Sequence, residues 1–279
     1  MLITKINSMM DTYSPTEKKI ADYLIKNVST IRTMTSYEIS QKLGIGQSNI
    51  IRFSQKLGYK GFRELQFDAN EDNNLYNEVN DNESTEMVNN RIVHQYINLA
   101  KATNSLNSPE MVDRCISKIV SSERIMVYGV GNSNLFAEYL SNNLLKMQFN
   151  SFSSTNAHIV YTKVSGFTNN DLVILVSETG ETGEIIKIAK ICNNHNVPVL
   201  AITRLAKNRL LKLADYAIYT CNDLSDSRLN ATTIRCSQLW VIDMITLNIL
   251  KQNYTEYRKY IDESEKLLSD CYYGEKLVK

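Results

Sequence analysis

The 279-residue chain has 43% hydrophobic and 22% charged residues, the composition of a globular protein with a substantial hydrophobic core. Its formal net charge of +1 does not by itself single out a nucleic-acid-binding protein. No apolar run reaches the roughly 18 residues of a membrane-spanning helix, and no signal-peptide pattern is present, so we expect a cytoplasmic protein without a membrane partner.

The charge is distributed unevenly along the chain. Residues 1–69 hold ten Lys or Arg and six Asp or Glu, whereas residues 70–86 hold six acidic and no basic residues. A basic head, an acidic connector and a nearly neutral body predict two functional units. We expect an N-terminal domain at 1–69, a linker and connecting helix at 70–107, a second domain at 108–254 and a C-terminal helix or tail at 255–279.

The first domain shows the start and stop signals of short helices. Ser14, followed by proline and three residues later by glutamate, predicts a capped helix start. Either Thr35 or Ser36 can cap a second helix, which the glycines of the Gly44–Gly46 turn would end. A third helix is predicted from Gln47 to about Leu57.

The second and third of these helices fit a helix-turn-helix. So short a turn forces a steep crossing, which allows the later helix to enter the major groove of DNA. A solvated amphipathic helix without a partner is the alternative interpretation, but the acid-free outer face favours DNA. That face and the residue beyond it carry side chains that suit base edges and phosphates: Gln47, Ser48, Asn49, Arg52, Gln55, Lys56 and Lys60.

The remainder of the chain changes character twice. The stretch from Asn70 to Glu86 is rich in Asn, Asp and Glu and predicts a solvated linker, after which helical periodicity returns. Four apolar runs, RIMVYGVG, DLVILVSETG, VPVLAITR and ADYAIYTC, then alternate with amphipathic segments. This alternation predicts an α/β domain with a doubly wound, mainly parallel sheet. The segment from about 231 to 269 is predicted to be helical throughout.

Two glycine-rich turns follow predicted strands, at residues 129–133 and 177–182. Such turns let backbone N–H groups converge at a helix N-terminus, where an anion is favoured, and their hydroxyls add neutral donors. In a doubly wound sheet these turns gather at the carboxyl ends of the strands, the usual ligand crevice. Helix capping is the alternative role of the same hydroxyls.

Several other chemistries are disfavoured by the sequence. The first turn lacks the third glycine of a dinucleotide fingerprint, and neither turn has the lysine of a nucleotide-binding P-loop. The five cysteines and three histidines lack metal-ligand spacing. We therefore expect no cofactor, no metal site and no catalytic residue.

The motifs together resemble a known family of regulators. The segment SPTEKKIADYLIKN, the helix-turn-helix and IIRFSQKLGYKGFRELQ resemble, over residues 1–68, the head of RpiR-type regulators. Gly46 and Asn49 depart from that pattern, because relatives usually have a hydroxyl cap and a threonine there. The motifs G-x-G-x-S and S-x-T-G-x-T-x-E resemble a SIS (sugar isomerase) domain over about residues 108–250.

The SIS resemblance implies a set of ligand-binding residues. Ser133, Ser177, Thr179 and Thr182 would hold the phosphate of a phosphosugar. His158 could bind a sugar hydroxyl, although an ordinary surface histidine is the alternative. The complete predicted ligand-binding set is Gly131, Ser133, Ser177, Thr179, Gly180, Thr182, His158 and Glu184.

The favoured function is therefore a bacterial transcriptional regulator that binds operator DNA under the control of a phosphosugar. Because specific operators usually engage paired heads, we expect a homodimer or homotetramer. The main alternative is a phosphosugar aldose–ketose isomerase, for which Glu184 and His158 are the candidate bases. A nucleoid-type DNA binder without an effector is a further alternative, which the small charge surplus disfavours.

Overall fold

The computed structural model describes residues 2–28, 30–31, 33–69, 84–221 and 230–273. The predicted linker at 70–86 lies outside these residues as far as residue 83, and a helix capped by Ser84 begins directly afterwards. Among the described residues, no helix is both long and apolar enough to cross a membrane.

The elements alternate as the sequence predicts, with helices first and a strand-helix alternation later. The helices are α1 Leu2–Ser8, α2 Pro15–Lys26, α3 Ser36–Leu43, α4 Gln47–Lys56, α5 Phe62–Asp68, α6 Thr85–Leu106, α7 Pro109–Val120, α8 Asn132–Lys146, α9 Ala157–Val164, α10 Gly183–Asn194, α11 Asn230–Gln252 and α12 Tyr254–Tyr273. The strands are β1 Ile125–Gly129, β2 Ser151–Ser153, β3 Leu172–Val176, β4 Val199–Arg204 and β5 Tyr216–Thr220.

The chain divides into two compact units. The first comprises Met1–Ser108, Arg204–Lys207 and Tyr219–Trp240; the second comprises Pro109–Thr203, Asn208–Ile218 and Val241–Lys279. The first unit contains the helix-turn-helix, and most of the sheet lies in the second.

The head of the first unit is built around a core of buried hydrophobic side chains, most of them from its helices. The α2 helix begins at a capping box in which Ser14 and Glu17 bond to each other's backbone N–H, as the sequence predicts. Thr35, rather than Ser36, caps α3 in the same way. The buried residues of this core are Leu2, Ile6, Met9, Tyr13, Ile20, Ala21, Leu24, Ile31, Ile39, Ile50, Phe53, Leu57, Tyr59, Phe62, Leu65 and Ala69.

The sheet has the strand order β2-β1-β3-β4-β5, and the pairings of β1 with β2, β1 with β3 and β3 with β4 are parallel. The sequence predicted four of these strands and missed β2, a three-residue strand at the edge. Strands β1 and β3 are buried along their whole length, which confirms a sheet covered on both faces.

A buried carboxylate fixes the start of β3. Asp171 is fully buried, and its two oxygens accept hydrogen bonds of 2.8 and 2.6 Å from the guanidinium of Arg124. It also accepts bonds from the backbone N–H and the hydroxyl of Thr168. Burial alone would raise the pKa of Asp171, but these hydrogen bonds hold it below its ordinary value.

Candidate functional site

The turn between α3 and α4 has the geometry expected of a helix-turn-helix. Gly44 adopts the left-handed conformation, with φ of +65°, and its N–H bonds back to α3. The N–H of Ile45 also bonds to the carbonyl of Ser40, at 3.0 Å, which closes the end of α3. Helix α4 then buries Ile50 and Phe53 in the core of the head, so its opposite face points to solvent.

The N-terminal half of α4 presents a polar cluster. Arg52 donates to Asn49 Oδ1 at 3.1 Å and to Ser48 Oγ at 3.3 Å. Gln47 Nε2 donates to Ser36 Oγ at 2.9 Å, which links the first turns of α3 and α4. These four predicted DNA-binding residues thus lie together as a surface of donors and acceptors on one end of α4.

The remaining predicted DNA-binding residues differ in how they are held. The ammonium of Lys56 bonds to both oxygens of Glu17, at 2.9 and 3.0 Å, and to the carbonyl of Thr12 at 3.3 Å. Gln55 is exposed on α4, and Lys60 is exposed just beyond it. Lys56 is therefore already paired within the head.

The two glycine-rich turns leave the sheet from neighbouring strands. In the β1–β3 pairing, Gly129 lies opposite Val176, so turns 129–133 and 177–182 start side by side at the carboxyl ends. The chain passes from β1 to β2 on one side and then to β3 on the other, which makes the β1–β3 junction the switch point of the sheet. Doubly wound folds bind ligands at this position.

Glycine is required in each turn for a different reason. A Cβ at Gly129 would lie 2.6 Å from the carbonyl carbon of Ser133, because the first turn of α8 lies directly against the end of β1. Gly180 has φ of +63°, and a Cβ there would lie 2.3 Å from Cγ of Asn208. These close approaches fix the path of both turns.

Neither helix that starts at these turns is capped by a side chain. Within the part of the chain that the structure describes, the N-cap residues Gly131 of α8 and Thr182 of α10 make no side-chain cap hydrogen bond. By contrast, side chains of Ser14, Thr35 and Asn156 cap α2, α3 and α9. The hydroxyl of Thr182 therefore does not take the capping role that the sequence left open for it.

The predicted phosphate-binding hydroxyls lie along the second turn. Ser177 is buried at the end of β3, and its Oγ is 3.5 Å from the hydroxyl of Thr182. Thr179 is exposed and accepts a bond from the backbone N–H of Glu181. In the first turn, Ser133 is half-buried at the start of α8.

Two carboxylates, Glu181 within the second turn and Glu184 just after it, accept hydrogen bonds from residues elsewhere in the chain. Arg209 donates to Glu181 through its backbone N–H at 2.7 Å and through Nε at 2.6 Å, and its Nη2 reaches the Glu181 carbonyl at 2.8 Å. These bonds from Arg209 hold the pKa of Glu181 below its ordinary value. Glu184, in the first turn of α10, accepts a hydrogen bond from the hydroxyl of the buried Tyr128.

The structure adds residues that the sequence analysis missed. Asn208 and Arg209 follow β4 and contact the second turn, where Leu210 N–H also bonds to the Gly180 carbonyl at 3.0 Å. Loop residues outside a motif give no signal in a single sequence.

His158 is exposed in the first turn of α9, where its backbone N–H bonds to Asn156.

Comparison with protein-family models gives two matches. Residues 1–84 match the helix-turn-helix domain of the rpiR family, and residues 118–247 match the SIS domain. The two matches contain the helix-turn-helix and both glycine-rich turns, respectively.

Solved structures show the same fold at low sequence identity. NanR of Vibrio vulnificus, complexed with ManNAc-6P, has a TM-score of 0.60 and 19% identity and covers 96% of this chain and 98% of that chain. The sugar isomerase domain of an RpiR transcription factor from Sphaerobacter thermophilus has a TM-score of 0.58 and 15% identity, with 64% of this chain and 98% of that chain covered. A protein of Escherichia coli CFT073 has a TM-score of 0.53 and 19% identity, with coverages of 64% and 98%. With an rpiR-type helix-turn-helix followed by a SIS domain, the chain belongs to the RpiR family of regulators.

Proposed function

We propose that this protein regulates transcription by binding operator DNA through α4, and that a phosphosugar bound at turns 129–133 and 177–182 controls the binding. The observation that carries the proposal is the presence, in one RpiR-family chain, of a helix-turn-helix and a pair of glycine-rich turns at the switch point of the sheet. Control requires only that the phosphosugar has different affinities for the DNA-competent and DNA-incompetent states.

The ligand site suits a phosphate group. The N-termini of α8 and α10 have no side-chain cap in the described structure, and the backbone N–H groups of such a helix start favour an anion. The hydroxyls of Ser177 and Thr182 lie beside them. Because Arg209 pairs with Glu181, that carboxylate is compensated.

Several classes of phosphorylated sugar are candidates for the ligand. The NanR structure contains ManNAc-6P, which makes this compound the first one to test. We propose a phosphorylated sugar without choosing among N-acetylated amino sugars, hexoses and pentoses, since all offer the same anion to the turns.

The DNA surface is proposed to consist of the exposed residues of α4. Asn49 and Gln47 suit adenine edges, and Arg52 suits guanine or phosphate. A single head of this size buries little DNA surface, so we propose that a homodimer or homotetramer presents two heads to paired half-sites.

We propose that the site has no isomerase activity. Aldose–ketose isomerisation needs a base positioned to take a proton from the substrate carbon, and one oxygen of the Glu184 carboxylate is held by the hydroxyl of Tyr128. His158 is exposed to solvent on α9, so the described structure does not hold it in a site that excludes water. Turnover of a phosphosugar by the wild type that is abolished in Glu184→Gln would refute this part of the proposal.

The ligand is tested by thermal unfolding across a library of hexose, pentose and N-acetylated amino-sugar phosphates that includes ManNAc-6P. A ligand at about a hundred times its Kd stabilises the folded state by about 2.7 kcal/mol, which corresponds to a midpoint shift of roughly 5–10 °C for a domain of this size. The non-phosphorylated sugars serve as controls and are expected to produce no shift. A library without any stabilising phosphosugar contradicts the ligand half of the proposal.

The position of the ligand is tested with a pair of hydroxyl deletions. Ser177→Ala removes a proposed hydrogen bond to a charged phosphate and is expected to weaken binding by about 10- to 100-fold. Ser165→Ala removes an exposed hydroxyl at the end of α9 and is expected to leave the affinity unchanged. Equal affinities of the two variants would place the phosphate elsewhere.

The DNA half is tested by selecting bound fragments from genomic DNA and measuring their affinity by fluorescence anisotropy. Arg52→Ala is expected to weaken binding by about 1–3 kcal/mol, whereas Lys26→Ala removes the same charge from the last turn of α2 and is expected to have a much smaller effect. Adding the stabilising phosphosugar is expected to change the affinity of the wild type. Absence of sequence-specific binding both with and without phosphosugar would end the regulator hypothesis.

A further inference from the structure

The loop after β4 supplies a cationic partner for one of the two glutamates in the second glycine-rich turn. Turn 177–182 contains Glu178 and Glu181, although its proposed ligand is a phosphate that carries up to two negative charges. Glu181 lies between Gly180 and Thr182 in the chain, and the backbone of this segment is proposed to face the anion. An uncompensated carboxylate at this position would repel the ligand.

Arg209 engages Glu181 at three points. Its backbone N–H and Nε hold one carboxylate oxygen each, at 2.7 and 2.6 Å, and Nη2 holds the backbone carbonyl at 2.8 Å. The carboxylate is thereby held by Arg209 through both oxygens, and its negative charge lies against the guanidinium.

The same loop also holds the turn by its backbone. The N–H of Leu210 donates to the Gly180 carbonyl at 3.0 Å, and buried Asn208 packs so closely against Gly180 that an added Cβ would lie 2.3 Å from its Cγ. Asn208 is in turn fixed by its Oδ1, which accepts from the N–H of Leu211 at 2.9 Å. These contacts of Asn208 and Leu210 hold the loop that carries Arg209 in a fixed position against the turn.

We propose that Arg209 is a positioning residue of the phosphosugar site, which neutralises Glu181 and so makes the turn receptive to a phosphate dianion. This inference rests on the proposed function. The role is electrostatic, because the partner oxygens belong to Glu181 and the ion pair is exposed, with 57% of the Arg209 and 44% of the Glu181 side chain accessible. An exposed pair of this kind contributes little to folding, which separates its effect on the ligand from an effect on stability.

Removing the arginine and removing the carboxylate then have different consequences. Arg209→Ala leaves Glu181 charged beside the phosphate and is expected to weaken binding roughly five- to tenfold. Glu181→Gln removes the repelling charge and is expected to preserve the affinity within about twofold. The double variant is expected to recover most of the affinity that Arg209→Ala loses.

The experiment is a calorimetric titration of the four proteins with inorganic phosphate and with the library phosphosugar that most raises the wild-type unfolding midpoint. It is repeated at about 1 M salt, where a Debye length near 3 Å is expected to reduce the loss in Arg209→Ala to about twofold. The matched control is Arg258→Ala, which breaks an equally exposed ion pair with Asp262 on α12 and is expected to bind like the wild type.

The outcomes separate the inference from the proposed function. Equal losses in Arg209→Ala and Glu181→Gln without recovery in the double variant would show that the pair is only a structural brace. Unchanged affinity in Arg209→Ala would also overturn the inference, while phosphosugar binding by the wild type would still stand. A wild type that binds no phosphosugar would instead refute the proposed function, and the inference with it.

Discussion

Replacing Gly180 by alanine tests whether the second turn is held as tightly as its contacts indicate. The added Cβ would lie 2.3 Å from Asn208 Cγ and 2.4 Å from its Oδ1, at a residue whose φ is +63°. The left-handed backbone costs a non-glycine residue about 1–2 kcal/mol, and overpacking typically adds about 1–3 kcal/mol. We therefore expect Gly180→Ala to lower the free energy of unfolding by about 2–5 kcal/mol, measured by urea denaturation followed by circular dichroism.

Two further variants separate the backbone cost from the steric cost. Gly44→Ala has a nearly identical φ of +65° but no atom within 4 Å of the new Cβ, so it is expected to lose only about 1–2 kcal/mol. Adding Asn208→Ala to Gly180→Ala removes the clashing side chain and is expected to restore part of the stability. If Gly180→Ala costs no more than Gly44→Ala, and Asn208→Ala brings no recovery, the close packing of Asn208 on the turn is refuted.

Substitutions of Asp171, Phe53 and Thr35 test the contacts of three further side chains. The pKa of Asp171 is lower in the folded than in the unfolded protein, so the ionised carboxylate stabilises the fold above its unfolded pKa of about 3.9, and this stabilisation is lost as the pH falls through the folded pKa. Asp171→Asn is expected to lower the midpoint of thermal unfolding at about pH 7 and to reduce the further fall of that midpoint below about pH 4. Phe53→Ala is expected to destabilise the head by about 3–5 kcal/mol and to abolish DNA binding, while the phosphosugar-induced thermal shift persists. Loss of that shift as well would contradict the assignment of the phosphosugar site to the second unit alone. Thr35→Ala is expected to cost about 1 kcal/mol in urea denaturation and Ser36→Ala only a few tenths, and the reverse order would contradict the observed cap.

The fold was predictable where local signals and burial agree. Ser14 and Gly44 mark helix ends through interactions within a few residues, so the helix-turn-helix could be located from one sequence. The continuous apolar runs of β1 and β3 identified a sheet buried on both faces. The two glycine-rich turns could be assigned to one edge because strands in a parallel sheet all end on the same side.

The elements that were missed lack such signals. Strand β2 consists of Ser151, Phe152 and Ser153 and owes its extended form to pairing with β1, a contact that the local sequence does not encode. Helix α1 was missed because its seven residues are too few to show a helical period, although its Leu2 and Ile6 are fully buried. The segment from about 231 to 269, predicted to be helical throughout, consists of two helices, α11 and α12, that are separated at residue 253.

The two glycine-rich turns of the candidate site could be predicted from the sequence, but the side chains that pair with its carboxylates could not. The motif located Ser177, Gly180 and Thr182, whereas the partners of the neighbouring carboxylates come from distant parts of the chain. Tyr128, 56 residues before Glu184, and Arg209, 28 residues after Glu181, carry no motif. Only the three-dimensional contacts assign them to the site.

The pairing of Lys56 with Glu17 has a consequence for the energetics of DNA recognition. A free lysine gains affinity largely because the phosphate backbone releases condensed counterions when the ammonium replaces them. Lys56 must leave Glu17 before it can act in this way, so part of its gain is offset by the broken ion pair, whose atoms are 2.9 Å apart. The salt dependence of operator binding is therefore expected to report fewer phosphate contacts than the number of basic residues on and beside α4.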